Sequence, residues 1–348
     1  MTHPQARRFR EQALGCLHLG SPMYGELLVR LADDLDAGGP TAVVLRGHEQ
    51  DPGPSGLALR LVGSLHRMVL AGRAPELAAS FPTVGGVWSS AGCDAVVAFL
   101  TARGDELRPL LEQAPQTNEV GRAAALVGGL LRLTAQWPLP IRLFEIGASG
   151  GLNLQADRFR LLGAAGAWGD VDSPVVLEHA WDGVPLPVGA DLRVVERGGC
   201  DVSPVDVATE DGRLTLTSYV WPDMAARHQR LAGAIGLARQ HPVRVERLDA
   251  ATYVERLALL PGHLTVLWHS VMWQYVPPPE QARVTARLAD LGRAASDEAP
   301  LVHLYAEPSR RMPGEEHRFW VWAQTWPGAG EPVVLGRMAA HGLPVTWE

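Results

Sequence analysis

The sequence predicts an α/β fold in which an all-α N-terminal cap precedes a mostly parallel sheet that ends in an antiparallel hairpin. Two observations carry this prediction. Residues 1–137 have apolar residues at helical spacing and no strand alternation of useful length. After Trp137-Pro-Leu-Pro140 the pattern changes to short apolar strands that alternate with helices, which is typical of a parallel sheet with helical crossovers.

The N-terminal part is expected to form a helical cap or lid over residues 1–137. Ser21 and Pro22 indicate a helix start, with serine as the N-cap and proline at the first helical position, and Gly38-Gly39 ends that helix. Residues 47–56 form a polar loop rich in turn residues. The predicted helices cover residues 9–19, 22–35, 57–71, 94–112 and 119–135.

The C-terminal part, residues 138–348, is expected to form one sheet-containing domain. Residues 319–326 and 332–338 pair as an antiparallel hairpin, and residues 343–347 form a last extended segment. Residues 164–213 are assigned as an insertion. The predicted strands lie at 141–146, 214–220, 243–248, 264–269 and 300–306, and the helices between them at about 151–162, 223–239, 250–259 and 279–293.

The composition excludes several classes of function. The chain has 348 residues, of which 47% are hydrophobic and 20% charged, so it is predicted to be globular. Its net charge of −7 argues against a broad basic surface for nucleic acid. No apolar run approaches the roughly 20 residues of a membrane span, and the N-terminus has no signal-peptide pattern. We therefore expect a cytoplasmic protein that binds a small molecule, with no nucleic acid or membrane partner; composition leaves the oligomeric state open.

Arginine provides all 31 basic residues of the Lys+Arg total. Without lysine the chain has no Walker A motif, no protein-kinase strand lysine and no Schiff base. Cys16, Cys93 and Cys200 are far apart and form no C-x-x-C, so we expect reduced, buried thiols. The twelve histidines show no metal-ligand spacing, and no metal is predicted.

A glycine-rich loop after the first predicted strand is the strongest functional motif. Glu145 lies near the end of that strand, and Gly147, Ser149 and Gly151 follow before the next helix. Small residues in such a loop let the backbone approach a nucleotide, and the carboxylate accepts hydrogen bonds from it. The letters GASGG also match G-x-S-x-G, the nucleophile elbow of serine hydrolases. Both interpretations stay open at this point.

The order of elements after residue 140 resembles that of S-adenosylmethionine-dependent methyltransferases with a Rossmann-like sheet. Over most of its length the chain also resembles an uncharacterised bacterial domain-of-unknown-function family, DUF2332. The stretches that carry this second resemblance are QTNEVGRAAAL (116–126), FEIGASGGLNL (144–154), SYVWPD (218–223) and HSVMWQYVPPPEQARV (269–284).

The methyltransferase resemblance implies an S-adenosylmethionine site around the glycine loop. Glu145 stands two positions before the first glycine, where this class has an acid, and Gly147, Ser149 and Gly151 occupy the small positions. The loop amides would hold the carboxylate end of the cofactor at a helix N-terminus. Asp249-Ala250 match the position whose acid bonds the adenine amine, although Asp249 also suits a helix N-cap.

The acid that binds the ribose hydroxyls has two candidates in this sequence. Rossmann folds place it about 20 residues after the glycines, where no suitable acid occurs here. Asp201 precedes a capping pattern formed by Ser203 and Asp206. Asp223 follows the predicted strand 214–220 and precedes a helix, which agrees better with the order of elements, although the helix dipole alone would account for it.

Aromatic residues and a histidine follow the fourth predicted strand, where methyltransferases of this class present groups to the methyl acceptor. His269 is the candidate general base, and Tyr275 is a second candidate catalytic residue. Trp273, with Trp221 as a further lid residue, would pack an aromatic or cationic acceptor. Packing in the core accounts equally well for such aromatic residues.

The segment Asn118-Glu119 with Arg122 begins an otherwise apolar helix with polar side chains. Asn118 and Arg122 are four residues apart and therefore share a helix face. We expect this segment to lie over the glycine loop and to contact the cofactor or the acceptor. A helix cap with a surface ion pair is the alternative.

The sequence therefore favours methyl transfer from S-adenosylmethionine to a small-molecule acceptor held in line with the methyl group. A serine hydrolase is the first alternative, with Ser149 as nucleophile and His303 or His341 as base. The helical part before the loop, and the lack of an oxyanion H-G pair there, argue against it. A non-catalytic module that keeps the fold without turnover is the second alternative.

Overall fold

The chain divides into two compact units, each built from two segments. The first contains the chain up to Thr117 together with Thr209–His228, and the second contains Asn118–Ala208 and Gln229–Glu348. The computed structural model describes residues 3–312, 314–328 and 330–348. The division falls at residues 117 and 118, whereas the sequence analysis placed it at 137 and 138 and assigned residues 209–228 to the sheet domain.

The first unit is helical, as the sequence predicts. Ser21 caps α2 by accepting a hydrogen bond from Tyr24 N, and Pro22 occupies the first turn. Fully buried apolar side chains at helical spacing, among them Leu27, Leu31 and Leu61, form its core. No helix among the described residues is long and apolar enough to cross a membrane. The helices of the whole chain are α1 Ala6–His18, α2 Pro22–Asp36, α3 Pro40–Val44, α4 Leu57–Leu70, α5 Ser90–Arg103, α6 Arg108–Leu111, α7 Ala123–Thr134, α8 Glu210–Ser218, α9 Ala225–Gln240, α10 Ala250–Glu255 and α11 Pro278–Ala294.

The second unit contains a nine-stranded sheet of order β5-β12-β11-β10-β9-β8-β1-β6-β7 and a small sheet of order β3-β2-β4. The strands are β1 Ile141–Ile146, β2 Arg160–Gly163, β3 Gly166–Trp168, β4 Val176–Leu177, β5 Trp181–Gly183, β6 Val194–Asp201, β7 Val245–Arg247, β8 Leu264–Ser270, β9 Leu301–Ser309, β10 Arg318–Trp326, β11 Val333–Met338 and β12 Val345–Trp347.

The predicted fold class is confirmed. The parallel strands β7-β6-β1-β8-β9 have the spatial order 3-2-1-4-5, which is the beginning of the Rossmann order. Strand β10 then pairs antiparallel with β9, and β11 antiparallel with β10, as the predicted hairpin requires. The helices α10 and α11 contribute to a hydrophobic core with β1 and β8, whose members include Phe144, Val254 and Leu288.

The strand predicted at 214–220 is wrong, because residues 214–218 belong to α8 and residues 219–220 form the turn after it. Leucine and threonine alternate there with the period of a strand. However, Thr209 accepts a hydrogen bond from Gly212 N, and Glu210 and Asp211 stand in the first turn, so local capping favours a helix. The hydroxyl of Thr217 donates to Arg213 O, which satisfies a polar group inside the helix.

The second strand of the sheet is β6, which lies inside the predicted insertion 164–213. It pairs in parallel with β1, from Ile141 opposite Val194 to Ile146 opposite Cys200. The helix predicted at 151–162 is also wrong, because a 3₁₀ helix at Leu152–Arg158 ends where Arg160 N donates to Val175 O and β2 begins. The insertion is therefore shorter, and Asp201 is at the end of the second strand.

Candidate functional site

The sheet order reverses between β1 and β8, since β6 and β7 lie on one side of β1 and β9 lies beyond β8. In open α/β sheets the crevice at the carboxyl ends of the strands at this point is the usual ligand site. The glycine loop follows β1 directly at that position. We call residues 147–151 the glycine turn.

The glycine turn is a tight, left-handed backbone segment. Gly147 and Gly151 have φ of +68° and +69°, which favours glycine, and Ser149 has φ of +51°. A Cβ at Gly147 would lie 2.8 Å from Met272 Cγ, and one at Gly151 would lie 2.9 Å from Val245 Cγ2. The glycines are therefore required by backbone conformation and by packing of protein side chains on the turn.

Amides in the glycine turn and directly after it are hydrogen-bonded within the protein. Ser149 N donates to Asp201 Oδ2 at 2.9 Å, Gly151 N to Ala148 O at 2.7 Å, and Leu152 N to Asn118 Oδ1 at 2.9 Å. These three donors are already used within the protein, and the expectation that amides of the loop hold the carboxylate of the cofactor stays a prediction. The turn is held in place by side chains from β6 and from the segment before α7.

Glu145 is the buried acid of the site, with only 2% of its surface exposed. Burial raises the pKa of the Glu145 carboxyl well above its usual range, and the negative charge of Asp201 raises it further. The Trp268 indole and the Arg122 guanidinium oppose this shift more weakly. Among the described residues, neither Glu145 Oε2 nor Trp268 Nε1 has a partner with hydrogen-bond geometry. A buried acid is therefore left with an unused oxygen at the switch point.

Asp201 and Asp249 lie at the next two strand ends. Asp201 ends β6 and accepts Ser149 N with one oxygen and Ser203 N with the other, at 2.9 and 2.8 Å. Asp249 follows β7 and caps α10 by accepting Thr252 N at 2.8 Å. The next amide, Ala250 N, donates to Glu280 Oε1 at 2.7 Å. Glu145, Asp201 and Asp249 are thus arranged along three adjacent strands.

The segment Asn118–Arg122 contacts the residues that directly follow the glycine turn. Besides the bond from Leu152 N to Asn118, Asn153 Nδ2 donates to Glu119 O at 3.3 Å. Arg122 Nη1 donates to Ser270 O at the end of β8. The side chain of Glu119 also accepts Gly121 N and so caps the 3₁₀ turn before α7. These residues support the turn, and their contact with a cofactor or acceptor remains a prediction.

A second group of polar side chains lies on the opposite face of the sheet. Glu145 is in register with Trp268, and His269 is in register with Tyr305. Because successive residues of a strand alternate between faces, Trp268 and His269 point to opposite sides. We call Glu307, His269, His303 and Gln324 the histidine cluster.

The histidine cluster is a continuous hydrogen-bonded chain. His269 Nδ1 bonds Glu307 Oε1 at 2.8 Å, its Nε2 lies 3.0 Å from His303 Nε2, and His303 Nδ1 lies 3.3 Å from Gln324 Oε1. His269 is 1% exposed. Burial, together with the charge of His269, lowers the pKa of His303 to about 3. Both nitrogens of His269 are engaged, so acting as a general base requires that it first breaks one of these bonds.

Comparison with known proteins identifies a family. The family described as an uncharacterized protein conserved in bacteria, DUF2332, matches residues 6–347. The chain belongs to the DUF2332 family. No curated protein and no solved structure matches it.

The remaining predicted residues of this DUF2332 chain are dispersed. Trp273 stacks on His269 with ring centroids 5.1 Å apart, whereas Tyr275 is 61% exposed. Trp221 and Asp223 belong to the first unit. There Asp223 accepts Ser21 Oγ at 2.6 Å and Met23 N at 3.0 Å, so it helps to cap α2. The sequence analysis favoured Asp223 as the acid at the end of the second strand, whereas Asp201 ends that strand in the structure.

Sequence reasoning missed Glu307, Trp268 and Tyr305. The pattern His303-x-Tyr305-x-Glu307 places three polar residues on one face of a strand, which is a visible signal. The 38-residue separation between His269 and Glu307 gave no indication of their contact. Among the described residues of this DUF2332 chain, no group of three or more His, Cys, Asp or Glu side chains is arranged to hold a metal ion.

Proposed function

We propose that the protein binds S-adenosylmethionine at the carboxyl ends of β1, β6 and β7 and transfers its methyl group to a small-molecule acceptor. The observation that carries this proposal is Glu145, whose Oε2 is buried and has no hydrogen-bond partner among the described residues. Nearly all buried polar atoms in proteins are paired, so an unpaired one at the sheet switch point favours a ligand that would pair with it.

The residues present fit this cofactor. Adjacent strands are about 4.8 Å apart, so acids at the ends of three neighbouring strands span roughly 10 Å. S-adenosylmethionine carries donors over a comparable length, namely an ammonium group, ribose hydroxyls and an adenine amine. Glu145 would face the cationic end. Each Asp201 oxygen accepts one backbone amide and keeps a lone pair for the ribose, and Asp249 would face the adenine.

When bound, the cofactor supplies an electrophilic methyl group. The protein would orient the cofactor and the acceptor and would place the Glu145 carboxylate beside the positive charge of the cofactor. A positive group beside Glu145 favours the ionised carboxyl, which burial alone disfavours. Binding is therefore expected to release a proton from Glu145. Since both His269 nitrogens are engaged, acceptors that need no deprotonation agree best with this conformation.

Isothermal titration calorimetry with S-adenosylmethionine and S-adenosylhomocysteine tests the proposal. Titrations in buffers of different ionisation enthalpy are expected to show proton release on binding to the wild type. Glu145→Gln should weaken binding at least tenfold and abolish the proton release, whereas the exposed control Glu178→Gln should do neither. Absence of binding at millimolar ligand would refute the proposal. Binding without turnover on any acceptor would indicate a non-catalytic module.

A serine hydrolase remains the second candidate because Ser149 has the positive φ of a strained strand-to-helix turn. That candidate predicts labelling of Ser149 by a fluorophosphonate probe and loss of labelling in Ser149→Gly. The methyltransferase proposal predicts that Ser149→Gly keeps cofactor binding, because glycine adopts the same φ without strain.

A further inference from the structure

The hydrogen-bond pattern of the histidine cluster determines how many protons it holds. Glu307 Oε1 accepts from three donors, namely His269 Nδ1 at 2.8 Å, Met272 N at 3.0 Å and Trp273 N at 3.3 Å. Three donors on one oxygen favour the ionised carboxylate. The His269 Nδ1 atom must then carry a hydrogen.

The other end of the cluster is determined by Gln324. Its Nε2 donates to Gly330 O at 2.6 Å, which orients the amide so that its Oε1 faces His303 Nδ1. An amide oxygen only accepts hydrogen bonds, so His303 Nδ1 also carries a hydrogen. One further hydrogen is needed between the two Nε2 atoms, which are 3.0 Å apart.

These requirements add up to three hydrogens on two imidazole rings. Two neutral rings carry only two, so one ring is an imidazolium. We propose that Glu307 and His269 form a buried carboxylate–imidazolium pair that positions the Met272–Trp273 backbone against the glycine turn. This role is new for the chain and does not depend on which cofactor the turn binds.

The surroundings of the two rings favour a charge on His269. Its ring lies between Trp273 and Tyr305, with centroids 5.1 and 5.3 Å away and interplanar angles of 19° and 7°. Aromatic faces on both sides attract a cation, and Glu307 neutralises it. His303 stays neutral because burial lowers its pKa to about 3. Among the described residues, the titratable side chains that contact the His269 ring are Glu307, His303 and Tyr305.

The pair acts on the loop that follows β8. Val271 has φ of +51°, a conformation that a β-branched residue adopts only when its surroundings impose it. Glu307 imposes it by binding the next two amides, and Met272 then packs on Gly147. The charge on one face of the sheet is in this way linked to the glycine turn at the carboxyl edge. His269 and Glu307 are therefore positioning residues.

Long-range ¹H–¹⁵N NMR of the histidine rings at pH 7.5, without any cofactor, tests the proposal. His269 is expected to show two protonated nitrogens, and His303 a protonated Nδ1 with an unprotonated Nε2. Loss of the corresponding signals in His269→Gln and His303→Gln assigns them. A wild-type His269 with only one protonated nitrogen would overturn the proposal. A shift of both Nε2 signals on addition of Zn²⁺ with loss of the Nε2 proton would also overturn it, in favour of a metal site.

Glu307→Gln is the matching isosteric variant. It should leave His269 with one protonated nitrogen and should speed hydrogen exchange of the Met272 and Trp273 amides at least tenfold. The control Tyr305→Phe keeps the stacked ring and should change neither measurement. Unchanged exchange in a folded Glu307→Gln protein would contradict the positioning role. If that variant does not fold, the wild-type ring spectrum alone decides the proposal.

Discussion

At the scale of single residues, Glu145 lies at the centre of the candidate site and lowers the stability of the folded protein near neutral pH. An acid whose pKa is raised in the folded state stays protonated there, while the unfolded chain ionises it above about pH 4.3. Stability is then present at low pH and is lost as the pH rises. Functional sites commonly retain such strained groups because a ligand relieves them.

Glu145→Gln removes this titration and keeps the size of the side chain. We expect the loss of unfolding free energy between pH 5 and pH 8 to shrink by about 1–3 kcal/mol relative to the wild type. Urea denaturation at the two pH values measures it, with Glu178→Gln as the exposed control. If the unfolding free energy of Glu145→Gln changes between pH 5 and pH 8 by the same amount as that of the wild type, Glu145 is not a buried neutral acid.

At the scale of elements, β6 determines the geometry of the candidate site. Its glycine at 199 lets the strand approach the glycine turn, since a Cβ there would lie 2.8 Å from Glu145 O and 2.9 Å from Ala148 Cβ. The backbone of β1 leaves no room for that Cβ to be accommodated. Asp201, two residues later, then reaches Ser149 N.

Gly199→Ala should therefore destabilise the protein by about 1–3 kcal/mol and weaken ligand binding at the turn. Gly236→Ala is a matched control within α9, where a Cβ meets nothing within 4 Å. Alanine favours helix by about 0.5–1 kcal/mol over glycine, so this control should be stabilised. Denaturant melts should therefore show a lower unfolding free energy for Gly199→Ala and a higher one for Gly236→Ala. Equal changes in the two variants would contradict the steric argument.

At the scale of the whole molecule, each unit contains a buried histidine, His66 or His303, whose pKa is lowered by burial. In the first unit His66 bonds Ser218 O and Thr83 Oγ1, and burial lowers its pKa to about 3. In the second unit the pKa of His303 is lowered to a similar value. Below about pH 6.5 the unfolded chain protonates these rings and the folded protein does not, so stability falls as the pH falls toward 3.

Each of the two histidines should contribute about 1.4 kcal/mol of lost stability per pH unit between about pH 6 and pH 4. His66→Gln keeps a donor and an acceptor at the site and should reduce the slope by about that amount. The exposed control His241→Gln should leave the slope of unfolding free energy against pH unchanged. Unfolding free energies at pH 7, 6, 5 and 4 measure the slopes, and an unchanged slope in His66→Gln would refute the assignment.

The sequence predicted the features that depend on local patterns. Apolar residues at helical spacing indicated the helices of the first unit. The change near residue 140 to short apolar strands that alternate with helices indicated the sheet. The strands β1, β8, β9 and β10 lie within a few residues of their predicted positions. The sequence analysis misplaced the second strand because the pair Gly198-Gly199 is typical of turns. In the structure Gly199 lets β6 approach the end of β1, and Gly198 lies against the Tyr253 hydroxyl of α10.

By itself the sequence determined the fold class, the glycine turn with its preceding acid, and membership of the family. The glycine turn and its acid depend on neighbouring residues, and the fold class and the family depend on the order of local patterns along the chain. Only the tertiary structure decided that Asp201 ends the second strand, that Asp223 caps α2, and that His269 pairs with Glu307. Those contacts depend on strand order and register, which place residues far apart in sequence on one edge or one face of a sheet.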